Sequence, residues 1–202
     1  MGQEMQCAVR FGGNISRGKA LLESEALLFR GDFRLEIPFR AMKSVSAAQG
    51  VLRVEFPDGH AQFELGPQAE RWAEKILHPK SLGEKLGVKL GASVSVLGVR
   101  DSSFRQDLAE RTARVASPTP EKESDFIFFA AEARVELKQL KGLVRFLKKS
   151  GAVWVVYPKG QPHITQADVM AAAKHAGLVD VKVASFSATH TALKLVIPLS
   201  RR

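Results

Sequence analysis

The chain has a single cysteine, Cys7, among 202 residues, which excludes an internal disulfide and any cysteine-rich zinc site and favours a reducing compartment. It also lacks a long apolar run. No stretch approaches the ~20 residues of a membrane span, and the opening MGQEMQCAVRF carries an acidic residue where a secretory signal needs basic ones, so a cytoplasmic location is expected. The familiar catalytic signatures are missing: there is no G-x-x-x-x-G-K-[ST], H-E-x-x-H, G-x-S-x-G or C-x-x-C. His60, His78, His163, His175 and His190 are scattered without ligand spacing, so neither a metal nor a cofactor is expected.

What the chain does have is ordinary globular composition, 45% hydrophobic and 25% charged, with a net charge of +9. The charge is uneven: residues 1–80 hold 11 Lys+Arg against 10 Asp+Glu, and residues 81–202 hold 19 against 11. A basic C-terminal half suits an anionic small molecule or protein partner. No arginine- and aromatic-rich RNA motif accompanies the charge, which argues against nucleic acid.

The two halves also differ in rhythm. In the first, KALLE, ALLFR, FRLEIPF, VLRVEF and AQFEL partly alternate apolar with charged residues, as in Leu52, Val54 and Phe56 against Arg53 and Glu55. Glu23-Ser24-Glu25, Arg30-Gly31-Asp32 and Pro57-Asp58-Gly59 separate them as turns, which predicts an antiparallel meander. Gly66-Pro67 then opens a helix with Ala69, Trp72, Ala73 and Ile76 on one face and Pro79 beyond its end. In the second half ASVSVLG, SDFIFFAA and GAVWVVYP are continuous apolar runs, which predict strands buried on both faces of a parallel sheet. Between them the spacing predicts a helix from about Ser103 to Ala113 and another over 136–149, ended by Gly151. That second helix would carry Leu137, Leu140, Val144 and Leu147 on one face and Lys138, Lys141, Arg145 and Lys148 on the other. Thr165 and Asp168 stand at capping-box spacing before a helix that stops at Gly177, and VDVKVASFS and TALKLVIPL predict a closing antiparallel pair.

Over about residues 5–78, the phrase GKALLESEALLFRGDFRLEIPFRAMKSV resembles a pleckstrin-homology or GRAM-type domain, whose members often bind lipids or partner peptides. Arg17, Lys19, Arg30 and Arg34 are the residues a headgroup would need near one another, set among Glu23, Glu25, Asp32 and Glu36. From about residue 86 to 199, LKKSGAVWVVYPKG and KHAGLVDVKVASF resemble the second half of a Rossmann-like methyltransferase. Such enzymes have a glycine-rich turn after the first strand, where LGVRDS has one glycine, and an acidic residue ending a second strand. Only 26 residues, Val99 to Ser124, separate the first strand from DFIFF, too few for two further strands, so much of an adenosine pocket is expected to be lost and S-adenosylmethionine binding is not expected. More specifically, VWVVYPKG followed by GLVDVKVASFSATHTALKLVIP is similar to a bacterial domain-of-unknown-function family, number 3052; this resemblance implies a truncated Rossmann-like fold and no particular activity.

The expected architecture is therefore α+β, a PH-like roll or barrel with a capping helix over 1–80, followed over 81–202 by a truncated Rossmann-like three-layer α/β sheet, mostly parallel with its last strand antiparallel. In such a sheet ligands sit beyond the carboxyl ends of the strands. That edge would collect Gly98, Arg100, Asp101, Ser102 and Ser103, then Ala131 and Glu132, then Tyr157, Pro158 and Lys159, with Ser187, Thr189, His190 and Thr191 from the hairpin turn. Asp101, Ser102 or Ser103 would cap the following helix. Alternatively an anion would occupy the helix N-terminus with Arg100 and Lys159 as counter-charges. His190 with Asp101 or Glu132 would make an acid/base pair. The leading expectation is a non-enzymatic binding or interaction module. Its rival is a small nucleotide- or anion-binding, transferase-like enzyme using this crevice.

Overall fold

The computed structural model describes residues 3–112 and 114–201. The chain divides into two compact units, Met1–Lys80 and Ser81–Arg202.

The first unit is a seven-stranded sheet with one helix. Its strands are β1 (Gln3–Phe11), β2 (Asn14–Leu22), β3 (Ala26–Arg30), β4 (Arg34–Pro38), β5 (Ser44–Ala48), β6 (Val51–Phe56) and β7 (Gly59–Glu64), followed by α1 (Ala69–Leu77). They lie in the order β4-β3-β2-β1-β7-β6-β5, every pair antiparallel. Side chains two apart share a face, so Cys7 and Val9, Ala20 and Leu22, Leu27 and Phe29, Leu52, Val54 and Phe56, and Ala61 and Phe63 all point into one core. Helix α1 closes that core with Ala69, Trp72, Ala73 and Ile76, the face its spacing predicts. A 3-10 turn, Gly66–Gln68, with Pro67 in its first turn, leads into it.

The second unit runs α2 (Leu82–Leu86), β8 (Ser93–Leu97), α3 (Ser102–Arg111), β9 (Arg114–Ala116), β10 (Ser124–Ala130), α4 (Leu140–Leu143), β11 (Leu147–Pro158), α5 (Gln166–His175), β12 (Val179–Ser185) and β13 (His190–Val196). Its sheet has the order β12-β13-β11-β10-β8-β9. Each face carries its own core. Val94, Val96, Phe128, Trp154, Val156 and Ala192 pack with Phe104 and Leu108 of α3 on one side, while Ile127, Phe129, Val153, Val155, Leu193 and Leu195 pack with Leu140, Leu143, Val169 and Ala173 on the other. Ser95 and Ser124 are buried in β8 and β10, and both are satisfied: Ser124 Oγ donates to the Glu121 carbonyl at 2.7 Å, Ser95 Oγ accepts from Glu121 N–H at 3.1 Å, and the two hydroxyls are 2.9 Å apart. That network holds the loop before β10.

The expected fold class is corrected. Eight of the eleven strand pairings among the described residues are antiparallel, so the chain is not a roll joined to a mostly parallel Rossmann-like sheet. The seven-stranded sheet is a curled half-barrel whose outermost strands, β4 and β5, are not paired with each other. Parallel pairing is confined to β9, β8, β10 and β11; β11, β13 and β12 run antiparallel. The three continuous apolar runs are β8, β10 and β11, and these do run parallel; the antiparallel excess comes from the six pairings of the first unit and from β13 with its two neighbours.

Two local readings are corrected as well. The region read as one helix over 136–149 is a 3-10 turn (Arg134–Gln139), the single turn α4, a second 3-10 turn (Val144–Phe146), and then strand. Residues 147–150 extend β11, with Leu147 in parallel register with Ser124, and Lys148 leaves the proposed basic stripe to bind Asp125 at 2.8 Å. Gly151 ends no helix; it lies in β11, where a Cβ would stand 2.9 Å from the carbonyl oxygens of both Ser124 and Asp125. The interval after β8 also holds a short further strand, β9, parallel to β8. The expected end of the preceding helix at Ala113 lies outside the described residues.

Candidate functional site

The second sheet gathers one crevice, and the topology explains why. Parallel β8 and β10 end at Leu97 and Ala130, and β13, antiparallel to β11, begins at the same edge with His190 opposite Pro158. The loop closing the β12–β13 hairpin arrives there too. Gly98, Val99, Arg100, Asp101, Ala130, Glu132, Glu136, Val156, Phe186, Ser187, Thr189 and His190 line a cleft of about 510 Å³.

Gly98 carries the chain around the corner after β8 with φ of +73°, and a Cβ there would sit 3.3 Å from the Ala130 Cβ. Asp101 then caps α3: its carboxylate accepts Phe104 N–H at 2.9 Å and the Ser103 hydroxyl at 2.7 Å. Those bonds, the Ser103 hydroxyl first, hold the Asp101 carboxyl below the usual carboxylate range. The N-terminus of α3 is thus already served by a negative charge belonging to the chain. Arg105 Nε donates to the Val99 carbonyl at 2.9 Å and ties the helix to the loop.

Glu132 and His190 face each other across the crevice, Nε2 to Oε1 at 3.3 Å, and His190 Nδ1 lies 2.9 Å from the Thr189 hydroxyl. With Thr189 donating to Nδ1 and the ring proton on Nε2 turned to Glu132, each ring nitrogen has a partner. The Glu136 carboxylate accepts the N–H groups of Glu132 at 2.6 Å and Ala133 at 3.2 Å, and so fixes the loop that presents Glu132. Val99, Val156 and Phe186 are buried and form an apolar floor.

Of the residues expected at this edge, Gly98, Arg100, Asp101, Thr189 and His190 come together. Ser102 and Ser103 are exposed on the first turn of α3, with Ser103 serving Asp101. Lys159 is turned elsewhere: its ammonium donates to Ser185 Oγ and the Ser187 carbonyl, and it lines a neighbouring hollow with Tyr157, Pro158 and Thr191. The expected pairing of Arg100 with Lys159 around an anion therefore does not assemble. Glu136 and Phe186 were not legible as site residues, Glu136 because it fell inside a supposed helix. Its signal was its position three residues after Ala133, where a glutamate reaches back to free N–H groups.

Among the described residues no three His, Cys, Asp or Glu side chains converge as a metal site, and no helix is long and apolar enough to cross a membrane. No family model and no curated protein matches the chain. Solved structures give partial likenesses. A putative type 11 methyltransferase from Sulfolobus solfataricus is 18% identical over 60% of this chain and 92% of its own, with a TM-score of 0.47. Magnesium protoporphyrin IX methyltransferase from Synechocystis PCC 6803, with SAM bound, is 14% identical over 58% and 74%, with a TM-score of 0.44. A SAM dependent methyltransferase from Aquifex aeolicus is 17% identical over 62% and 89%, with a TM-score of 0.41. At these scores the likenesses carry nothing to the chemistry, which rests on the crevice.

Proposed function

We propose that the crevice at the ends of β8 and β10 binds a nucleoside-class small molecule through its hydroxyl or ammonium donors, and that the site supports transferase-like proton chemistry. The observation that carries this reading is the juxtaposition of three carboxylates, Asp101, Glu132 and Glu136, with His190 over an apolar floor. A carboxylate only accepts hydrogen bonds, so such a rim favours ligand O–H and N–H groups, and carboxylates at this edge of an α/β sheet suit vicinal ribose hydroxyls. Arg100 lines the same cleft, but one guanidinium against three carboxylates leaves the rim net negative, and a free phosphate would also meet Asp101 at the helix N-terminus. Phe186 and Val156 supply apolar surface for a flat ring.

The Glu132 carboxylate, oriented by His190 Nε2–H, is the group able to take a proton from a ligand O–H or N–H as that atom attacks an electrophile. Asp101 is engaged in capping α3 and acts as fixed charge. Titration calorimetry tests the reading with adenosine, S-adenosylmethionine, adenosine monophosphate and phosphate as probes. Binding of the first two, weakened at least tenfold by Glu132→Gln, supports it. Preference for the monophosphate or phosphate, or heat from none of the four, contradicts it.

A further inference from the structure

We infer that the free edge of β4 is a self-association surface, where a second copy of this chain adds its own β4 antiparallel through a two-fold axis at Leu35. The four sheet edges differ in how they are blunted. Strand β12 carries a register shift between Asp180 and Lys182, with Lys182 tied to the Lys85 carbonyl. Strand β9 has three residues, and α1 lies against β5. Bulges, short length and covering elements are the usual protections of a sheet edge. Strand β4 has none of these: it runs five residues in unbroken register with β3, its proline, Pro38, stands at its last position beyond the Phe33–Ile37 stretch, and among the described residues no strand pairs with its outer side. It is also held in place, because the buried Ser16 hydroxyl bonds both the carboxylate and the N–H of Asp32 in the turn before it, each at 2.9 Å.

The sequence of this edge is self-complementary. Phe33, Leu35 and Ile37 face the core, while Arg34 and Glu36 are exposed on the outer face without an ion-pair partner among the described residues. Antiparallel pairing about Leu35 puts Arg34 beside Glu36 of the second copy twice over, Leu35 beside its counterpart, and Ile37 beside Phe33 of the second copy. A shift of two residues either way sets Glu36 against Glu36 or Arg34 against Arg34, and a shift of one turns the apolar residues to the wrong face. One register therefore satisfies both charge and burial.

The outer face within one chain supplies the other half of the argument. Lys19, Arg30 and Arg34 stand in cross-strand register, Lys19 opposite Arg30 and Arg30 opposite Arg34. Glu4 answers Lys19 at 3.2 Å, but nothing described answers Arg30 or Arg34. Like charges directly opposite repel, and Glu36 of a second copy would put an anion at the end of this row. A phosphorylated or lipid surface would also answer three cations, but it would leave Glu36 and the apolar edge unmatched.

Sedimentation velocity of the full chain over about 1 to 200 µM, the range where a small interface is measurable, reads the association directly. The wild type should dimerise reversibly. Arg34→Glu and Glu36→Arg each turn both attractive pairs repulsive and should raise the dissociation constant about tenfold or more, while the double swap should return it to within about threefold of wild type. A monomer throughout the range overturns the inference, as does a dimer indifferent to the single changes or a double swap no tighter than the singles. Thermal midpoints check that the variants fold. Should either fail, Leu35→Cys replaces them: oxidation should give a disulfide dimer through position 35, and an oxidised protein that stays monomeric overturns the inference equally.

Discussion

Replacing Gly98 with alanine should damage the corner that shapes the crevice more than the same change at an equally left-handed but open glycine. Gly98 and Gly91 have φ of +73° and +76°, so both variants pay the left-handed penalty of about 1–2 kcal/mol for an L-residue. A Cβ at Gly91 meets nothing within 4 Å, whereas at Gly98 it meets the Ala130 Cβ at 3.3 Å. Crowding of that kind adds roughly 0.5–1.5 kcal/mol where the neighbour can yield only in part. Urea unfolding should therefore show Gly98→Ala about 1.5–3.5 kcal/mol less stable than wild type and Gly91→Ala about 1–2 kcal/mol less stable. Ala130→Gly removes the crowded methyl. In the Gly98→Ala background it should recover the excess, as a coupling of about 0.5–1.5 kcal/mol in a double-mutant cycle. Equal losses at the two glycines, or a coupling of zero, would refute the claim that β8's corner is pressed against the end of β10.

Ser95→Ala should cost roughly 1–3 kcal/mol, because it leaves Glu121 N–H without its partner inside the second core, and a cost under ~0.5 kcal/mol in urea unfolding would count against the network. Burial alone would raise the Asp125 carboxyl, but the hydrogen bonds from Lys148 and Ser93 N–H outweigh it and hold it below its ordinary value. With the folded pKa depressed, its contribution is present above the unfolded pKa of about 3.9 and fades as pH falls through the folded value. Asp125→Asn should therefore flatten the acid limb of the urea midpoint below about pH 4, and an unchanged limb would remove Asp125 from the account. Residues 81–202 expressed alone should fold, with a cooperative thermal transition and native-like dispersion; a molten or insoluble product from a well-folded parent would show one interdependent core.

The parts of this fold that could be read from sequence are those where a short-range rule acts alone. Ala69, Trp72, Ala73 and Ile76 share a helical face after Pro67, and that face is the one buried. Thr165 and Asp168 cap α5 reciprocally, and β12 and β13 form the closing antiparallel pair. The illegible parts depend on distant partners. Strand β1 does alternate, Met5, Cys7, Val9 and Phe11 against Glu4, Gln6, Ala8 and Arg10, but its polar first half lacks the branched and aromatic residues that mark the other strands, and its pairing with β7 is set by a distant segment. Leu147 to Ser150 looked helical, and the parallel register with Ser124 draws the start of that segment into β11. The parallel run of β8, β10 and β11 is legible from their continuous apolar stretches, whereas the extent of the antiparallel half-barrel is not, because it depends on pairings such as β1 with β7 between distant segments. In the site, the turn after β8 is legible from Gly98 and Asp101, and the pairing of His190 with Glu132 follows from their places at the same sheet edge. The orientation of Lys159 is not legible, because a flexible side chain on a rim settles on whichever acceptors the fold brings near it.

Amide chemical-shift mapping of the full chain with adenosine bears most directly on the central claim. Saturable shifts confined to Gly98, Asp101, Glu132, Phe186 and His190 and their neighbours, and lost in Glu132→Gln, are the predicted result. Shifts centred instead on Lys159 and the hollow beside Tyr157, or none at millimolar adenosine, would contradict it.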